Sequence, residues 1–364
     1  RRSTMDGYAV RARDTHGASE SLPAFLTVVG EVGMGRAATV TLAAGEAALV
    51  HTGGMIPDSA DSVVQVEHTQ MASNVAPTSF PYEIEVLRAV AAGQNVIQIG
   101  EDVAAAAPVL PAGHRLRPQD LGGLLALGVT SIGVARRPRV AIVATGDEVV
   151  PPDVQPGPGQ IRDINSYTVA GQVLNAGGIP QLRGIVRDDA QALRAAAEAA
   201  LAESDMVVMS AGSSVSIRDM TVDVIDGLGA PGVLLHGVAT RPGKPTIVGA
   251  VGGKPVLGLP GNPVSAMIQF DMFGVPVIYH LQGLVGPPPR NRVWARLGQN
   301  VPSESGREDY VPARLEETDT GLVAMPVFGK SNLIYTLVGA DGLIKVPLNL
   351  GGLLAGELVE VVLF

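Results

Sequence analysis

The feature that most constrains this chain is the alternation of apolar strands and helices that begins at Pro138. The almost wholly apolar run RVAIVAT leads through a polar loop into the helical stretch INSYTVAGQVLNAGG. IPQLRGIVR then reads as a strand, DDAQALRAAAEAALAES as an Ala-rich helix with Leu193, Ala197 and Leu201 on one face, and DMVVMS as a buried strand. Strands without polar alternation, set between helices, predict a parallel sheet covered on both faces. Ligands of such doubly wound sheets bind beyond the carboxyl ends of the strands. The loops after Thr145, Arg187 and Ser210 are therefore the places to look for chemistry.

The flanks have another texture. Residues 24–92 break into AFLTVVGEV, EAALVHTGGM, DSVVQVEHTQM and YEIEVLRAV, separated by Gly, Pro and Asn, which is the pattern of a small β domain. On either side lie MDGYAVRARD and a segment ending in a helix with Leu121, Leu124, Leu125 and Leu127 on its apolar side,. After a helix that ends near His280, the run Pro287, Pro288, Pro289 marks a linker, and RVWARLGQNV, YVPARLEE, LVAMPV, GLIKVP and ELVEVVLF read as barrel-like strands,. The expected fold class is α/β and multidomain. A central doubly wound, mainly parallel α/β domain spans 138–285, an elongated α+β domain takes 1–23 and 93–137, an inserted small β domain takes 24–92, and a C-terminal β-barrel domain takes 286–364.

Composition excludes several classes. A formal net charge of -9 opposes binding to nucleic acid or to an anionic membrane, so an anionic ligand needs a local cluster of donors,. No apolar run approaches the roughly 20 residues that span a bilayer. There is no Cys, which removes disulfides, thiolate zinc sites and cysteine nucleophiles and agrees with a reducing, cytoplasmic setting,. The six histidines, at 16, 51, 68, 114, 236 and 280, lack metal-type spacing, and no GxSxG is present,. The chain opens at Arg1 and reads straight into STMDGYAV, so further residues are expected upstream.

Four stretches carry candidate chemistry. TGDE, at 145–148, places Asp147 and Glu148 at a strand end, where they could bind hydroxyls or metal, or simply form a turn,. MSAGSSVSIRD, at 209–219, offers Gly212, Ser213 and Ser214 as donors to a phosphate or pterin oxygen and ends in Asp219, which could also cap a helix starting near Met220,. RPGKP, at 241–245, holds Arg241 and Lys244 on a proline-stiffened turn, suited to a dianion or merely a solvated basic turn,. GLPGNPVSAM, at 258–267, runs a strand into a turn with Asn262 at an N-cap and Pro263 at the first helical position: either an anion site at a helix start or a well-made connection,.

Taken together and in order, these stretches resemble the molybdopterin molybdenumtransferase family, the type of bacterial MoeA and the gephyrin E domain. The matching segments are STMDGYAV (3–10), HTGGMIPDSADSVVQVE (51–67), GEDV (100–103), TGDEV (145–149), GQIRDINS (159–166), VRDD (186–189), SAGSSVSIRD (210–219), RPGKP (241–245), GLPGNPVSA (258–266) and GKSNLIYTLVGADGLIKVP (329–347). They cover essentially the whole chain. The resemblance implies that adenylylated molybdopterin is cleaved in a Mg²⁺-dependent step, that AMP leaves and that molybdate enters the dithiolene. It carries catalytic roles onto Asp6, Thr52, Asp102, Glu148, Asp188 and Asp219, with Glu148, Asp188 and Asp219 as the metal-side carboxylates. Pterin and molybdate binding fall on Gly212, Ser213, Ser214, Arg241, Lys244, Pro260, Pro263 and Ser265.

The resemblance also implies a homodimer with an active cleft shared between subunits. A molybdopterin adenylyltransferase and the maturation partners of molybdoenzymes are the expected associates, with no nucleic acid and no membrane. Three positions depart from the family pattern: Ser216 stands where Gly is common, Arg241 where Lys is usual, and Gly237 where some members carry Lys. Two other readings share features with this one. A molybdopterin adenylyltransferase has the α/β domain but not the flanking β domains, and a gephyrin-like scaffold would bind partners without turnover.

Overall fold

The computed structural model describes residues 1–73, 79–210, 215–286, 289–319 and 321–364, with all their side chains except those of 215–218. The chain divides into two compact units, Arg1–Pro111 and Ala112–Phe364.

The first unit is built on a six-stranded sheet in the order Ser62–Gln65, Gly7–Val10, Glu46–Val50, Ala24–Val32, Tyr82–Val86, Thr69–Met71. The four β-rich pieces expected in 24–92 each supply a strand. Gly7–Val10 pairs with both Glu46–Val50 and Ser62–Gln65, so the boundary expected between residues 23 and 24 runs through a hydrogen-bonded sheet. Alternate residues of these strands feed two cores, with Leu26, Val28 and Ile84 in one and Val32, Val50 and Val63 in the other.

In the second unit, Arg139–Thr145 pairs in parallel with Ile179–Val186 and with Met206–Ser210, and Met206–Ser210 pairs in parallel with Lys254–Leu259. Ile247–Val251 and Pro231–His236 extend the sheet in the antiparallel sense. Helices cover both faces, as a doubly wound sheet requires. Asn165–Asn175 and the run from Pro263 to Leu281 pack Val169, Val173, Phe270 and Ile278 onto Ile142, Val208 and Leu257. Ala190–Glu203 and Val215–Leu228 pack Leu193, Ala197 and Ile225 onto Val143 and Val207. Ala190–Glu203 starts where it does because Asp189 caps it, accepting from the amide of Ala192 at 2.8 Å, a contact worth about 1 kcal/mol.

The helical run Pro263–Leu281 is long and apolar enough to cross a membrane by length and composition alone. Its packing assigns it to the core instead, since Phe270 and Ile278 are fully buried beside the sheet. A π-turn at Phe270–Gly274 splits it. Pro276 follows at once, and a wider turn ahead of a proline relieves the clash its ring makes with the preceding turn,. Gly274 lets the Phe270 ring lie against the backbone, because a Cβ there would stand 2.3 Å from the ring.

The C-terminal strands close on themselves. Glu308–Thr318 pairs with Gly321–Pro326, which pairs with Arg292–Leu297, then Leu358–Leu363, then Gly342–Val346, which returns to Glu308–Thr318. The expected barrel is thus a closed five-stranded one filled by Leu297, Ala313, Ala324, Ile344 and Val361.

One sequence expectation is not met. The leucine side of the helix Pro118–Ala126 and of the segment after it does not enter a core: Leu121 is 51% exposed, Leu125 62% and Leu127 46%.

Removing the Phe270 ring tests the core assignment of the long helix. Phe270→Ala is expected to cost about 3–5 kcal/mol, read as a lowered urea midpoint. A helix whose apolar side faced lipid would show no such loss in aqueous denaturation.

Candidate functional site

The parallel strands end at Thr145, Val186, Ser210 and Leu259, and their loops converge as the topology requires,. Asn165 ties three of them together. Its Nδ2 donates to Ser210 Oγ at 3.0 Å and to the Gly261 carbonyl at 2.8 Å, while Thr145 Oγ1 donates to the Ser210 carbonyl at 3.2 Å. Asn165 is 8% exposed and its Oδ1 has no partner among the described residues. These groups line a cleft of about 590 Å³ together with Glu148, Arg162 and Pro263.

A second cleft, of about 600 Å³, lies between the sheet end and the barrel, and Asn262 lines both. The second cleft gathers Arg241, Lys244, Pro260 and Ser265, all named from sequence, with Arg307 and Lys330 from the barrel segment. Among the described residues four cations therefore face one carboxylate, Asp309. The sequence offered no sign that Arg307 belongs here, because a lone Arg in SGRED is read as a turn cation until the barrel closes. Lys330 and Ser331 were visible as part of GKSN but without a role.

The RPGKP turn is held from below. Gln269, fully buried on the long helix, donates through Nε2 to Thr240 Oγ1 at 3.1 Å and to the Pro242 carbonyl at 2.9 Å. Gly243 sits at φ +116°, and a Cβ there would fall 2.3 Å from Gln269 Cγ, so the close approach demands glycine,. Thr246 Oγ1 donates to the Gly243 carbonyl at 2.7 Å. The turn is a fixed support for two cations.

The helix start at Pro263 differs from the expected anion site. Asn262 occupies the N-cap position, yet its side chain makes no cap and instead donates to Ser331 Oγ at 2.9 Å. The Val264 amide donates to the Ser331 carbonyl at 3.1 Å, and Pro263 has no amide hydrogen,. The barrel loop has thus taken part of the helix's donor capacity, and side-chain cations dominate the cleft.

Acidic residues occupy the neighbouring strand ends. The Asp147 amide donates to Asp188 Oδ2 at 3.3 Å and the Asp188 amide to Asp147 Oδ1 at 3.4 Å. Asp188 Oδ1 is buried and has no partner among the described residues. Burial pushes the Asp188 carboxyl up; the Asp147 amide opposes this, and the Asp147 and Glu148 charges reinforce it. Asp219 lies elsewhere than expected. The helix Val215–Leu228 begins earlier than Met220, so Asp219 is its fifth residue, exposed on the second turn, and not an N-cap. Nothing in VSIRDM breaks a helix, which explains the earlier start,. Among the described residues no three His, Asp or Glu are gathered into a metal site, so Glu148, Asp188 and Asp219 do not form a ready-made cage. Gly212, Ser213 and Ser214 fall outside the described residues.

In the first unit, Asp6 Oδ1 accepts from the Thr52 amide at 2.7 Å and from Thr52 Oγ1 at 3.0 Å. The backbone bond, then the hydroxyl, lower the Asp6 carboxyl below its ordinary range. Beside them His51 Nε2 lies 2.8 Å from Glu31 Oε1. Asp102 is exposed on a bend of the same unit.

Family models describe the same three regions. The model for the MoeA N-terminal region (domain I and II) matches residues 1–128, that for a molybdopterin binding domain 141–280, and that for the MoeA C-terminal region (domain IV) 294–364. A molybdopterin molybdenumtransferase of Nostoc is 36% identical over 95% of this chain and 79% of its own length. The enzyme of that name from Bacillus subtilis is 32% identical over 100% of this chain and 83% of its own length. This chain belongs to the molybdopterin molybdenumtransferase family. The crystal structure of a molybdopterin biosynthesis MoeA protein from Pyrococcus horikoshii superposes with a TM-score of 0.81 at 31% identity, covering 100% of this chain and 87% of that one. Matches to both the N- and C-terminal MoeA regions disfavour the adenylyltransferase reading, which accounts for the α/β domain alone.

The raised Asp188 carboxyl makes a pH prediction. Its proton is held more tightly in the folded than in the unfolded chain, so stability falls as pH rises from the unfolded value of 3.8 through the raised folded one,. Asp188→Asn removes that fall and is expected to raise the melting temperature at about pH 7 relative to wild type, with the gap closing near about pH 3. Parallel melting curves would show that the folded chain does not raise the Asp188 carboxyl.

Proposed function

We propose that this chain inserts molybdate into the dithiolene of adenylylated molybdopterin and releases AMP in a Mg²⁺-dependent step, within molybdenum cofactor biosynthesis. The observation that carries the reading is the pair of clefts meeting at Asn262, one cationic and one at the acidic strand ends. A tetrahedral dianion is matched by Arg241, Lys244 and Arg307, whose donors point from two different elements,. The neighbouring cleft, with Asn165, Ser210 and Arg162, suits the pterin nucleotide, to which the family's Gly212, Ser213 and Ser214 also belong.

The residues present fit Mg²⁺. It takes oxygen donors, one or two carboxylates together with substrate phosphates, and no cage of three protein ligands. The unpartnered Asp188 Oδ1, beside Glu148, is such a donor. When bound there, Mg²⁺ would neutralise the phosphoanhydride and make AMP a better leaving group. Asp188 and Glu148 would hold the ion from the strand ends, and Asp219, exposed on its helix, would reach it only through the substrate or a water.

A homodimer in the cytoplasm completes the proposal, with Asp6, Thr52 and Asp102 of one copy serving the clefts of its mate. Exposed Leu121, Leu125, Leu127 and Val134 supply the apolar surface that a second copy would cover,. A molybdopterin adenylyltransferase would deliver the substrate, and molybdoenzyme maturation partners would take the product.

AMP release from adenylylated molybdopterin, measured with and without molybdate and Mg²⁺, tests the reaction directly: no molybdate-stimulated release overturns it. Asp219→Asn, at an exposed helical position, is expected to change stability by no more than about 0.5 kcal/mol and to cut AMP release by about tenfold or more. Normal release would leave Asp219 a surface residue. Leu125→Glu is expected to convert the dimer to monomer in sedimentation and to abolish AMP release; a wild-type that sediments as monomer while active refutes the shared cleft.

A further inference from the structure

Asp309 is a carboxylate in the wrong place for an anion site. It lines the cationic cleft, yet its side chain is only 4% exposed. Its oxygens are divided between the two arginines. Arg307 Nε donates to Oδ1 at 2.9 Å, and Arg241 Nη1 stands 3.8 Å from Oδ2. The two arginines come from different parts of the second unit. Arg241 belongs to the two-residue strand Thr240–Arg241, and Arg307 immediately precedes the barrel strand Glu308–Thr318. These strands pair in parallel with Arg241 opposite Asp309, so the carboxylate lies at the one register position where it can reach both guanidiniums.

Without that carboxylate each arginine is loosely held. Arg241 is 63% exposed, and the other ion pair of Arg307 runs to Glu304, itself 75% exposed. A long exposed side chain such as Arg241 keeps most of its rotamer freedom and Arg307, 27% exposed, keeps part of its own, so an anion that bound them would have to order both,. A buried acceptor behind them lowers that cost in advance, because it fixes one edge of the Arg307 guanidinium through a hydrogen bond and draws Arg241 at ion-pair distance, leaving their other edges free for ligand,.

We propose that Asp309 is a positioning residue that holds Arg241 and Arg307 as a preformed fork for molybdate, an inference that rests on the molybdenum-transfer reading above. Asp309 touches no reacting atom. Its effect is confined to oxyanion binding, not to cleavage of the phosphoanhydride.

The test turns on a sign. If Asp309 mattered only through its charge, Asp309→Asn would remove a repulsive carboxylate and tighten molybdate binding. Positioning demands the reverse. In Asp309→Asn the KM for molybdate in AMP release is expected to rise about ten- to a hundredfold, with kcat at saturating molybdate and the KM for adenylylated molybdopterin unchanged. Calorimetric titration with molybdate alone should show the same loss. A KM equal to or below wild type overturns the inference, as does a fall in kcat and in both affinities together, which would mark a purely structural role. Should Asp309→Asn not fold, Asp309→Glu carries the test. Its extra methylene keeps the charge but shifts it off both partners, and a wild-type molybdate KM there overturns the proposal. A wild-type enzyme that neither binds molybdate nor releases AMP in response to it would instead bring down the functional reading itself, whatever the variants do.

Discussion

The constraint on which the cleft depends is a short parallel pairing, Thr240–Arg241 against the first residues of Glu308–Thr318. It joins the turn that leaves the α/β sheet to the long barrel strand Glu308–Thr318. The Glu308 amide donates to the Ala239 carbonyl at 2.9 Å beside it. One such bond is worth only about 1 kcal/mol, but register decides which side chains meet. A slip by one residue would turn Asp309 to the other face and separate it from Arg241. The turn is also fixed from the sheet side by Gln269 and Gly243. Three elements distant in sequence therefore agree on one position for Arg241.

Charge is segregated on a small scale. The chain as a whole carries -9, yet the cleft at the barrel holds Arg241, Lys244, Arg307 and Lys330. Asp147, Glu148 and Asp188 lie at the ends of the neighbouring strands, and the Asp188 carboxyl is raised first by burial and further by the Asp147 and Glu148 charges. Repelling groups persist in a fold when a ligand relieves them. An oxyanion and a metal-bound phosphoanhydride would relieve the two halves of this arrangement.

Much of this was legible in the sequence, because apolar pattern and turn chemistry are local. The unalternated strands at 139–145 and 206–210, the Ala-rich helix at 190–203 and the proline at 263 all stand where pattern placed them. The failures are those of long-range contact. Leu121 and Leu125 read as the apolar side of a helix, but nothing local says whether a core lies opposite them. Arg307 joins the cleft only through the barrel's closure, and Gln269 reads as an ordinary polar residue of an apolar helix until the RPGKP turn is folded over it. The helix start near Asp219 was misplaced because Asp is favoured at N-caps, whereas VSIRDM contains no Gly or Pro to stop the helix from starting earlier,.

The helix start at Pro263 bears on how the cleft proposed for molybdate would hold it. A free helix N-terminus binds anions through desolvated amides and holds them firmly. Here Pro263 contributes no donor, the Val264 amide is bonded to Ser331, and that of Ala266 to the Asn262 carbonyl. The attraction comes instead from side chains that remain in contact with water, Arg241 above all. Coulomb attraction at such a surface is several-fold weaker than in a dry interior. A transferase must hand its oxyanion on, so a site made of positioned but hydrated cations meets the requirement better than a closed nest of amides. Geometry then has to supply the selectivity that dielectric does not, and the buried carboxylate behind the two arginines is the group placed to do so.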